Sequence, residues 1–92
     1  MSPHGADREA LARRLIDRCG LHGTFTLRSG VTSETYFDKY RFEADPILLE
    51  DVAREMAPLV PAHTDVLAGL EMGGIAIVVA LSRITGLPAA FI

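Results

Sequence analysis

The second half of this chain alternates in a way that few folds accommodate. A short apolar run at residues 66–68 leads into Gly69-Leu70-Glu71-Met72-Gly73-Gly74, and an almost wholly apolar stretch follows at 75–85. After Gly86, a second apolar run occupies 87–92. Two strand-length segments flanking one of helix length spell a β–α–β unit, since parallel strands need a long crossover. That crossover is expected to be right-handed. A helix apolar on nearly every side has to be covered on both sides. Parallel sheets likewise need helices on both faces, and two strands alone make a poor one. The pattern therefore points to an α/β fold of which the chain holds one portion, or to a sheet that a second copy completes.

The first half is organised differently. Residues 1–6 read as a disordered lead, with Asp7 as a helix N-cap. Leu11, Leu15 and Cys19 then recur every fourth residue, with Ile16 beside them, predicting a helix over 8–19. Gly20 stands where a left-handed terminal residue is wanted. Residues 24–27 and 35–38 are rich in β-branched and aromatic side chains and flank a Ser-Gly turn, predicting a hairpin or an irregular flap. Asp45-Pro46 opens a second helix, a capping carboxylate followed by proline at the first helical position. Its apolar face is Leu48, Leu49, Val52, Ala53 and Met56, Glu50 can pair with Arg54, and Pro58 and Pro61 end it. The expected organisation is one domain portion over 1–92, with helix and flap in 7–44 and the start of an α/β core in 45–92.

Composition narrows the class of protein. With 92 residues and 49% apolar content, the chain has material for one domain or a piece of one. A chain of this size buries only roughly 60–65% of its unfolded surface, so its stability is modest. A net charge of −3 without a basic cluster argues against nucleic acid as a partner. The one cysteine, Cys19, excludes an internal disulfide and suits a reducing compartment. No leader is evident, and the run at 75–81 is too short to cross a bilayer. These features predict a soluble cytoplasmic protein without a membrane partner.

Three places can carry chemistry. The glycine-bearing segment 69–74 sits at the carboxyl end of a strand, where open α/β sheets bind ligands. Its amides and the following helix dipole suit an anion, although a tight strand-to-helix turn needs the same glycines. Arg28 can grip a phosphate or carboxylate with two bonds, or it is an ordinary solvated turn residue. Tyr36 and Phe37 alternate across a strand, so only one ring can face a core while the other is free to stack on a flat base. Asp38, Lys39 and Arg41 form a polar cluster or an exposed ion pair. His4, His22 and His63 lack metal-ligand spacing.

Three runs, Phe25-Thr26-Leu27-Arg28-Ser29-Gly30, Tyr36-Phe37-Asp38 and Gly69-Leu70-Glu71-Met72-Gly73-Gly74, together resemble the N-terminal half of orotate phosphoribosyltransferase, a type I phosphoribosyltransferase. The likeness covers residues 10–92. It implies an incomplete phosphoribosyltransferase-type parallel sheet flanked by helices, with an N-terminal helix and short flap strands. By resemblance, Arg28 reaches bound orotate and 5-phosphoribosyl 1-diphosphate, and Tyr36 and Phe37 flank the orotate. Glu71, Met72, Gly73 and Gly74 lie in the loop that faces pyrophosphate.

The resemblance also implies Mg²⁺ as cofactor, a homodimeric parent, and no catalytic or metal-binding residue within this portion. Many relatives carry Lys where this chain has Gly73, which leaves the loop only backbone donors and a dipole. Glu34 replaces a common proline, and Lys39-Tyr40-Arg41 departs from the usual continuation. The family's basic loop and acidic phosphate loop are not among these residues, so the chain alone is expected to be inactive. The rival expectation is a non-catalytic binding or assembly module of the same fold.

Overall fold

The structure, a computed structural model, describes residues 4–92, with side chains from Arg8 onward. The chain divides into two compact units, Met1–Phe42 and Glu43–Ile92.

In the first unit, α1 (His4–Cys19) runs directly into β1 (Gly20–Thr26), which pairs antiparallel with β2 (Thr32–Phe37). A short helix, α2 (Tyr40–Glu43), follows. The helix starts earlier than the expected Arg8, so 4–6 are helical and Asp7 lies inside α1 instead of capping it. The first backbone N–H groups of any helix lack intrahelical partners, so an extra turn at this end forfeits little. The expected disorder of residues 1–3 lies outside the described residues. Leu11 and Leu15 are half-buried and Cys19 is fully buried, whereas Ile16, placed beside this stripe, is exposed.

Gly20 is not the left-handed cap that was expected; it is the first residue of β1 and has no positive φ. A Cβ there would lie 2.6 Å from the Ile16 carbonyl oxygen. Glycine serves close passage from helix to strand, with no intervening loop.

Both strands are longer than the propensities suggested. Pairing recruits the weak strand formers Gly20, His22 and Gly23, because the ladder of cross-strand bonds overrides local preference. Leu27 N donates to Val31 O and Gly30 N to Leu27 O, each at 2.9 Å, closing a three-residue tip of Arg28, Ser29 and Gly30. Gly30 has φ +85°, the left-handed residue such a tip requires. Between His22 and Phe25 the register slips by one residue, marking a bulge beside Gly23.

In the second unit, α3 (Pro46–Met56) starts as expected. Asp45 is extended, and its Oδ1 accepts from Ile47 N at 3.2 Å and Leu48 N at 3.1 Å. Asp45→Ala is expected to lower the stability of this unit by about 1 kcal/mol, a typical capping loss. Chemical denaturation followed by circular dichroism checks it; an unchanged midpoint would show that the cap is dispensable. Arg54 Nη2 reaches Glu50 Oε1 at 3.0 Å on the exposed side, a pair worth little in water. As expected, α3 ends just before Pro58, and a single 3-10 turn, Ala57–Leu59, follows it.

The β–α–β unit forms, with β3 (Leu67–Gly69) and β4 (Ala89–Phe91) parallel and α4 (Ile75–Thr85) between them. The strands are shorter than the apolar runs, yet α4 has the expected bounds. Gly86, at φ +78°, caps α4 by donating to Ser82 O at 2.8 Å. Leu48 and Ala53 of α3 are buried, as are Val78 and Leu81 of α4, where the two helices pack together. The covering of α4 is incomplete: Val79 is 41% exposed. Ala68 and Ala90 are exposed on the sheet, as are Phe91 and Ile92 at its carboxyl end.

Candidate functional site

In the first unit, the hairpin presents two sets of groups. At its tip, Arg28 is exposed in a turn fixed by the Leu27–Val31 closure. Near its base, Tyr36 and Phe37 are each 48% exposed, so neither ring fills a core. The alternation along β2 still sends them to opposite faces, but a two-stranded ribbon does not bury either face by itself.

The two rings differ in company. Tyr36 lies against Phe25, centroids 5.7 Å apart and tilted by 33°. This is the only ring pair found among the described residues, and Phe37 takes no part in it. The polar residues after β2 make contacts within their own segment. Asp38 Oδ1 accepts from Tyr40 N at 3.2 Å, and the Lys39 ammonium sits 5.5 Å from the centre of the Tyr40 ring.

In the second unit, loop 69–74 is folded on itself. Gly74 N donates to Leu70 O at 2.8 Å and Ile75 N to Met72 O at 3.1 Å. Glu71 N donates to Ile92 O at 2.7 Å, and Ile92 N donates to Gly69 O at 2.9 Å. The peptide between Glu71 and Met72 is cis. Glu71 and Met72 project into solvent, while Gly73 and Gly74 are half-buried. A Cβ on Gly69 would sit 2.6 Å from both Gly74 O and Val78 Cγ1, and one on Gly74 would sit 2.8 Å from Leu70 N. The loop therefore has the compactness of a turn and the position, at a strand's carboxyl end, of an anion site.

Sequence reasoning singled out Arg28, Tyr36, Phe37 and the loop as candidates, and three features of the structure were not among its expectations. These are the Phe25–Tyr36 stack, the helix α2 with its Asp38 cap, and a polar hollow of about 370 Å³ lined by His22, Gly23, Thr24, Glu34 and Thr35. An Asp two residues before a Tyr-Arg-Phe-Glu run was a legible cap signal. The bulge that shapes the hollow had only Gly23 to announce it. Among the described residues, no group of three or more His, Cys, Asp or Glu side chains can hold a metal ion. No described helix is long and apolar enough to cross a membrane.

Comparison with known proteins adds to this geometry. No protein-family model matches the chain. An orotate phosphoribosyltransferase from Nocardioides sp. (strain ATCC BAA-499 / JS614) is 57% identical over 74 residues, covering 80% of this chain and 41% of the relative. One from Methanocella arvoryzae is 44% identical over 66 residues, covering 72% and 38%. Among solved structures, Mycobacterium tuberculosis orotate phosphoribosyltransferase in complex with inorganic phosphate aligns with a TM-score of 0.80 at 27% identity, over 95% of this chain and 54% of that one. Leishmania donovani UMP synthase aligns at 0.78 with 34% identity, over 90% and 19%.

A helix and flap followed by a β–α–β unit with a glycine loop define a partial type I phosphoribosyltransferase fold. The chain spans about two fifths of the length of these curated relatives. Within that class it belongs to the orotate phosphoribosyltransferase family.

Proposed function

We propose that this chain supplies the base-recognising flap and the diphosphate-facing loop of an orotate phosphoribosyltransferase. The reaction transfers ribose 5-phosphate from 5-phosphoribosyl 1-diphosphate to orotate, giving orotidine 5'-phosphate and pyrophosphate. The bond from the anomeric carbon to diphosphate oxygen breaks as the bond to the pyrimidine nitrogen forms. Positive charge grows on the ribose and negative charge on the leaving group. The observation that carries this reading is the flap: an exposed arginine at a rigidly closed tip and an aromatic pair left half-exposed on β2.

Each group has a physical task. Phe37, with no ring partner among the described residues, offers a face on which a pyrimidine can stack. Tyr36 is held by Phe25 and supports the flap from its other face. Arg28 can grip the orotate carboxylate or a phosphate oxygen with two parallel bonds. The loop's amides at Glu71, Gly74 and Ile75 are engaged in its own bonds, so its contribution rests on the α4 dipole and on rearrangement of those bonds.

Magnesium accompanies this chemistry in the family. Magnesium usually keeps several waters and binds through substrate phosphates, so an ion carried in on the diphosphate fits this chemistry. A homodimeric, cytoplasmic parent fits the same reading, as does the lone buried cysteine.

The 92-residue chain by itself is expected to release no measurable pyrophosphate from 5-phosphoribosyl 1-diphosphate with orotate and Mg²⁺, because it spans only part of its relatives' length. Turnover above background in a pyrophosphate-release assay would overturn that expectation. Orotate binding to the chain, followed by NMR, tests the base site directly, and the absence of any shift at millimolar orotate would count against it.

A further inference from the structure

The residue after the aromatic pair is tied down twice. Asp38 N donates to Cys19 O at 2.8 Å, so the hairpin ladder continues one rung past its terminal pair, Gly20 with Phe37, into the last residue of α1. That carbonyl belongs to the final turn of a helix, where oxygens lack intrahelical partners. Cys19 is itself fully buried, so the anchor point is fixed and dry. On its other side, the Asp38 carboxylate accepts from Tyr40 N at 3.2 Å, and Asp38 O accepts from Arg41 N at 3.2 Å. These bonds start α2, whose Phe42 is buried. The Phe37–Asp38 junction is therefore held from both directions, by α1 through the main chain and by α2 through a carboxylate cap.

The geometry points to Asp38 as the positioning residue of the base site. By clamping the chain immediately after Phe37, it sets the direction of the Tyr36-Phe37 main chain and the pitch of the Phe37 ring without touching the base. Phe37 is half-exposed on a two-stranded ribbon and, unlike Tyr36, has no ring partner among the described residues, so a hydrogen-bonded clamp at the strand's end can orient it. Stacking falls off when a ring tilts or slides, so the clamp acts on orotate affinity. This inference rests on the base-site reading proposed above.

Two tyrosines exist in the chain, Tyr36 and Tyr40, and they bracket Asp38. Incorporating 3-fluorotyrosine therefore gives two fluorine signals that report on the clamp itself. Wild type, Asp38→Ala and Asp38→Asn are titrated with orotate while both signals are followed. Alanine removes the cap and leaves the backbone bond to Cys19; asparagine keeps a capping oxygen at nearly the same place. The expected result is a loss of orotate affinity of about fivefold in Asp38→Ala, the scale of a lost cap, with return to within about twofold in Asp38→Asn. Both fluorine signals move in ligand-free Asp38→Ala and keep their wild-type positions in Asp38→Asn.

Equal orotate affinity in all three proteins overturns the inference and leaves the base site standing. Failure of the wild type itself to bind orotate overturns both. Amide hydrogen exchange on the wild type supplies a measurement that needs no variant to fold. Asp38 and Tyr40 amides protected well above their neighbours support the clamp, and exchange at the unprotected rate overturns it.

Discussion

Gly69→Ala is expected to destabilise the second unit by about 2–3 kcal/mol, the upper range for forcing atoms into a filled space. The added methyl would meet Gly74 O and Val78 Cγ1, both at 2.6 Å, and Val78 Cβ at 2.9 Å. The carbonyl cannot yield easily, because Gly74 O accepts from Val78 N at 3.0 Å and so anchors the first turn of α4. Val78 cannot yield easily either, since it is buried. Strand end, loop and helix start are thus packed through one missing side chain. Denaturation of the chain in urea, followed at a helix-sensitive wavelength, measures the change. A midpoint within error of wild type would show that the loop is softer than its packing implies.

Phe37→Ala is expected to weaken orotate binding by tenfold or more, against little change for Tyr36→Phe. Removing an aromatic platform from a base costs roughly 1–3 kcal/mol, and 1.4 kcal/mol is already about a factor of ten. Tyr36 keeps its contact with Phe25 when only the hydroxyl is removed, so the flap is undisturbed. Titration of both variants with orotate separates the two rings. If Phe37→Ala binds orotate as tightly as the wild type, Phe37 is not the stacking platform and the assignment falls.

The parts of the fold written in the sequence are those where one physical signal acts alone. Asp45-Pro46 is a cap with a proline at the first helical position, and α3 begins there. The bounds of α4 follow from an apolar run stopped by Gly86. The misses occur where a long-range partner decides. Gly20 looked like a helix terminator, but strand pairing with Phe37 claimed it. The four residues of α2 are too few to show a period, and their helix depends on Asp38 bonds. The start of α1 was misjudged because a good capping residue, Asp7, does not end a helix that can continue past it.

The candidate site divides along similar lines. The presence of Arg28, Tyr36, Phe37 and the glycine loop was legible from residue type and order. Which ring is occupied by Phe25 was not, because the register slip beside Gly23 changes which side chains are neighbours across β1 and β2. Nor was the closure of loop 69–74 on its own carbonyls, since a glycine run specifies freedom of backbone and not the bonds that use it.

The placement of the chromophores has a practical corollary. Both tyrosines and the single thiol lie in Met1–Phe42, and the chain contains no tryptophan. Tyrosine emission and the reactivity of buried Cys19 toward a disulfide reagent therefore watch the flap unit alone, while helical ellipticity reports α3 and α4 together with α1. Superposition of the three unfolding curves would mark the halves as a single cooperative block; separated curves would mark them as two that melt on their own terms. The chain thus carries a local thermometer for the flap unit beside a global one.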